Sequence, residues 1–140
     1  MKPYFVCTRR LEDAGLFESE AHKSRFTELI NCYSGYPFFN SGLCKCMYLS
    51  SWDEEHFMVI LDILNDMTLG RSSDTTEMTD NGKVLEAQSE GYEKYIMQLS
   101  GNFLNDEPFL MPSEPIESKG LYIITQALHA AQIIDDFFED

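Results

Sequence analysis

The side chains best suited to nucleophilic or metal chemistry are three histidines and four cysteines, and their spacing assembles no known centre. In Cys44-Lys45-Cys46 a single residue separates the sulfurs. On a helix, at about 100° per residue, they point to nearly opposite sides. No Cys-x-x-Cys pair or second cluster supports zinc, so Cys44 reads as a small core residue. A di-iron bundle needs Glu-x-x-His on two helices. The nearest fragments, Asp53-x-x-His56 and Glu18-x-x-x-His22, lack that form, and His129 follows Gln126 rather than a glutamate. His56, beside Phe57 at a core margin, reads as structural. There is no Gly-x-Ser-x-Gly elbow, and no cysteine has a setting that would clearly lower its pKa. Gly35, Gly42 and Gly70 are isolated, so no phosphate loop forms. The expectation is a non-enzymatic protein with no catalytic residues, no metal and no cofactor.

Two patterns remain, and both concern binding. Glu55, Asp62 and Asp66 are 7 and 11 residues apart, which puts them in one narrow stripe of a helix. On the helix expected over Gly82–Ser100, Glu86, Glu90 and Glu93, 4 and 7 apart, form a second stripe. Like charges at i,i+4 cost a helix about 0.2–0.5 kcal/mol each, so such rows are either solvated faces or surfaces kept for a basic partner. A row of carboxylates also resembles a phosphate backbone in sign and scale. The second pattern is aromatic: Tyr33, Tyr36, Phe38 and Phe39 crowd one turn, and Phe137 and Phe138 lie between acids. Tyr36, Phe38 and Phe39 either anchor a partner or plug the end of a bundle. Phe138 continues an apolar helix face and is expected to be buried.

The charge balance agrees. Across 140 residues, 24 Asp and Glu face 10 Lys and Arg, a formal net of −14. Direct binding of nucleic acid or of an anionic membrane wants clustered bases, so neither is expected. Residues 1–30 carry five bases and five acids, so the whole excess lies in 31–140. The longest apolar run, Phe57–Leu61, is far short of the ~20 residues of a membrane span. Tyr4–Cys7 is too short for a signal peptide, so the expected location is cytoplasmic, with free thiols.

Helical periodicity must position these groups. One helix is expected over Ser19–Ser34, with Phe26, Leu29, Ile30 and Tyr33 on its inner face and Gly35 as its cap. A short one, capped by Ser41, holds Leu43, Cys44, Met47 and Tyr48. The strongest pattern is Trp52–Leu69, opened by a Ser51–Glu54 capping box and wide enough in its apolar face to be the central helix. Gly70–Asn81 reads as a flexible loop. Gly82–Ser100 resumes the helical period and stops at Gly101-Asn102. A last helix is expected from about Ser113, with Pro115 in its first turn, to Phe138, burying Leu121, Ile124, Leu128 and Ala131. Tyr4–Cys7 reads as a short strand or an extended arm. The fold class is all-α: a single acidic domain over 1–140, a compact bundle of four to five helices. The expected function is sequestration of a basic protein partner of nucleic-acid-binding or nuclease type, as in immunity proteins, antitoxins and anti-restriction or anti-CRISPR inhibitors. The alternative is a helical adaptor or homo-oligomer using the aromatic patch, with the charge serving solubility.

Overall fold

The computed structural model describes residues 3–70, 84 and 87–139. Among them the chain is all-helical, with six helices rather than four or five: α1 Phe5–Asp13, α2 Glu20–Tyr33, α3 Ser41–Ser50, α4 Glu54–Thr68, α5 Glu93–Asn105 and α6 Ser118–Glu139. The extra helix is α1, where a strand or arm was expected. Tyr4–Cys7 is rich in strand formers. Even so, Cys7 and Leu11, four apart, bury on one face, and tertiary burial overrides local propensity.

The middle of the fold is α3. Seven of its ten residues are buried, and it packs against α2, α4, α5 and α6. Asn40, one residue before the expected Ser41, caps it, its Oδ1 accepting from Leu43 N–H at 2.8 Å. The central place assigned to α4 is thus corrected. Helix α4 packs on α3 and α2 and leaves Met58 exposed, because its wide apolar surface meets neighbours on only part of its circumference. Its cap is Asp53, not Ser51. Asp53 Oδ1 accepts from both the backbone N–H and Nδ1 of His56, each at 2.8 Å. Ser51 belongs to the end of α3, its hydroxyl donating to Met47 O.

Helix α2 follows the expected stripe, burying Phe26, Leu29, Ile30 and Tyr33 and also His22. Ser34, not Gly35, closes it. Glu18 N–H donates to His22 Nδ1 at 3.1 Å, so the ring proton sits on Nε2, which donates to Tyr48 O at 2.9 Å. That neutral ring latches the start of α2 to α3. Burial drives its pKa down to about 4, against the Tyr48 carbonyl, which favours the cation. Arg25 adds a second tie by donating to Ser51 O at 2.9 Å.

The segment expected as one helix over Gly82–Ser100 is broken. Residues 87 and 88 are helical, the chain turns at Gly91, and α5 starts at Glu93. Gly91 takes φ +58, a left-handed geometry that glycine adopts without steric cost. Beyond it α5 runs through Gly101 and ends at Asp106. A Cβ on Gly101 would meet no heavy atom within 4 Å. Gly101→Ala is therefore expected to raise stability by about 0.5–1 kcal/mol, checked by chemical denaturation.

Helix α6 begins at Ser118, leaving Pro115 outside it. Ile124 and Ala131 are buried as expected, but Leu121 and Leu128 are exposed. The inner row instead includes Gly120, Ile123, Ala127, Ala130 and Ile134. This helix is apolar on two adjacent rows. The row with small residues allows the closer approach, and Gly120 sits directly against Tyr92. Lys45 on α3, its side chain nearly buried, pairs with Asp135 on α6 at 2.7 Å.

All four cysteines are free thiols; Cys32 is exposed, while Cys7, Cys44 and Cys46 are buried. Cys7 on α1 and Cys44 on α3 influence each other, Cys44 lowering the Cys7 thiol while burial and Cys7 raise that of Cys44, and burial pushes the Cys46 thiol up to about 11. No helix among the described residues is long and apolar enough to cross a membrane. The polar stretch 71–81 lies outside the described residues.

Candidate functional site

Four acids and one methionine occupy the outer face of α4. Glu54 and Glu55 stand in its first turn, beside the capping Asp53, where the positive end of the helix dipole favours them. Burial acts to raise the Asp53 carboxyl. The hydrogen bonds from His56 outweigh that effect and hold it below its ordinary range. Met58, 48% exposed, follows one turn later, and Asp62 one turn beyond.

Glu54, Glu55, Met58 and Asp62 line a shallow groove of about 450 Å³, whose other bank is Val84 and Gln88. Of the residues expected there, Glu55 and Asp62 fall together and Asp66 lies one further turn along α4. Glu86 lies outside the described residues. Glu90 precedes the Gly91 turn and Glu93 opens α5, so those two do not share one continuous helical stripe. The spacing rule failed at Gly91, because carboxylate registry holds only while the helix is unbroken.

Family models, curated proteins and solved structures yield no match to this chain.

The aromatic turn divides. Phe39 turns inward and packs against Tyr4 at 5.1 Å and Phe138 at 5.8 Å, part of a cluster with Phe137 that joins the start of α1 to the end of α6. In that cluster Phe138, expected to be buried, is only half-buried, and Phe137 beside it is buried. Tyr36 and Phe38 stack on each other at 5.2 Å, with Tyr36 exposed. No group of three or more His, Cys, Asp or Glu side chains is placed to hold a metal among the described residues.

The sequence reading missed Glu54 and Met58. Their signal was present: Met58 is four residues from Glu54 and three from Glu55, an apolar side chain on the acidic face. An exposed thioether ringed by carboxylates offers both halves of a protein contact. Its apolar body gains by burial, and the ring of charge selects for Lys or Arg nearby.

Proposed function

We propose that this chain is a non-enzymatic acidic binding protein that sequesters a basic protein, of nucleic-acid-binding or nuclease type. The class is that of immunity proteins, antitoxins and inhibitors of restriction or CRISPR effectors. One observation carries the reading: the α4 groove sets exposed Met58 among Glu54, Glu55 and Asp62 in a chain of net charge −14. A positively charged segment with one apolar residue would bury that residue on Met58 and place its cations over the carboxylates. Long-range attraction would make association fast and sensitive to salt.

The test is affinity capture on the immobilised chain with elution by a salt gradient, repeated with Glu54→Lys/Glu55→Lys. The captured partner is expected to be basic and to lose at least about tenfold in affinity between low and high salt, as screening of exposed charge requires. The double variant is expected to abolish capture. A partner held equally at both salt concentrations, or bound unchanged by the variant, overturns the proposal.

A second reading, self-association, draws on the outer face of α6. Leu121, Tyr122 and Leu128 are exposed there, and no charged residue lies between Lys119 and Asp135. Sedimentation at micromolar concentration separates the two. A stable oligomer unaffected by charge reversal on α4 would favour this second reading.

A further inference from the structure

Helices α4 and α5 both rest on α3 but diverge from each other, and a half-enclosed cleft of about 90 Å³ opens between them. Its walls are apolar, with Val59, Ile60 and Ile63 on α4 and Met97 and Leu104 on α5. The hydroxyl-bearing Ser50 and Ser100 and the Cys46 thiol come from the α3 side and the facing turn of α5, and Asn105, its amide already donating to Gly101 O at 3.0 Å, closes the end of α5. No charged side chain lines it, in a protein of net −14.

One polar atom in this cleft lacks a partner. His56 is 4% exposed, and its Nε2 makes no hydrogen bond. The ring is firmly aimed: Nδ1 is held by Asp53 at 2.8 Å, and the Trp52 ring lies against it at 4.9 Å between centroids. Buried polar atoms in native proteins are nearly always satisfied, so an unpartnered one on an oriented ring that lines a cavity calls for an occupant. A second observation concerns the opposite wall. Gly101 lines the cleft in the interior of α5, and a Cβ there would meet nothing within 4 Å. Alanine would fit and would favour the helix, so glycine keeps volume open at a cost in helix stability.

We infer that this cleft binds a compact, neutral, mostly apolar molecule whose single hydroxyl seats on His56 Nε2. A charged ligand would find no counter-charge among the lining residues. A hydroxyl satisfies Nε2 in either protonation state, donating to the neutral ring or accepting from the cation. The enclosed volume is smaller than the roughly 150 Å³ cavity that takes benzene whole. A six-membered ring therefore enters with its hydroxyl leading and its far edge at the cleft mouth. The site shares Val59 alone with the α4 groove, and its occupancy does not depend on any protein partner.

Phenol and toluene, matched in shape and differing in the hydroxyl, are the probes. Backbone amide shifts would be followed on titrating each into the wild-type chain, His56→Phe and Gly101→Leu. The expected result is saturable shifts centred on Ser50, Val59, Ile63 and Ser100, with phenol about tenfold tighter than toluene, the scale of one hydrogen bond. His56→Phe is expected to reduce that preference to within about twofold, and Gly101→Leu to weaken both probes at least tenfold. Absence of saturable shifts, shifts centred on the outer face of α6, or equal affinity for the two probes overturns the inference. If His56→Phe fails to fold, Gly101→Leu decides: phenol binding that survives with the cleft filled also overturns it.

Discussion

Acidification from pH 7 to pH 4 is expected to remove up to about 3 kcal/mol of folding stability through His22 alone. In the fold its neutral ring accepts from Glu18 N–H and donates to Tyr48 O, and its pKa lies at about 4 against 6.5 for the free side chain. Between those values the unfolded chain holds a proton that the folded chain does not, so stability rises with pH across the window. It is fully present above about 6.5 and falls as the pH drops toward 4. Each pKa unit corresponds to 1.36 kcal/mol, which sets the magnitude. Protonation of carboxylates relieves repulsion in this acidic chain over the lower part of the same range, so the absolute curve is shallower. The diagnostic is a difference. Urea denaturation at pH 7, 5.5 and 4.5 should show His22→Gln less stable than wild type at neutral pH and the gap narrowing with acid. A gap that stays constant across this range would assign no such role to His22.

Gly42→Ala is expected to destabilise the fold by about 2–3 kcal/mol, although alanine is the better helix former. A Cβ at position 42 would stand 2.5 Å from the carbonyl oxygen of Phe103. That atom belongs to the backbone of α5, so no rotamer change relieves the clash and the central α3–α5 contact must open. Overpacking of this kind costs about 1–3 kcal/mol, occasionally more. Gly101→Ala, on the partner helix, is expected to move stability the other way. Thermal unfolding should therefore shift in opposite directions for two chemically identical substitutions, by roughly 2–4 °C per kcal/mol at this size. A Gly42→Ala protein as stable as wild type would mean that the two helices are not in this contact.

How far the sequence disclosed the fold depended on how many faces a segment could offer. Helix α2 has one apolar row, and Phe26, Leu29, Ile30 and Tyr33 were legible from spacing alone. Helix α6 has two, so Leu121 and Leu128 were wrongly placed inside; the choice was made by the close approach at Gly120. Helix α3 is short and apolar nearly all round, which is the pattern of a central element, yet length made α4 look more important. The acidic rows were legible on α4, where the helix is continuous, and misleading around Glu90 and Glu93, where the chain turns at Gly91. Asp53-x-x-His56 is visible in the sequence as a pair, and its spacing alone points only toward metal motifs that it does not complete. At a helix start the same spacing lets one carboxylate cap the backbone and orient an imidazole, a local geometry that periodicity does not encode.

The thiols supply a practical consequence. Cys32 stands at the surface of α2, whereas the other three are sealed between helices. An alkylating reagent therefore meets one target in the native protein and four in the opened one. A dye placed at Cys32 reports on a surface that lines neither the α4 groove nor the α4–α5 cleft. The slower uptake at Cys7, Cys44 and Cys46 counts openings of the core, so the chain carries its own clock for breathing motions without an engineered label.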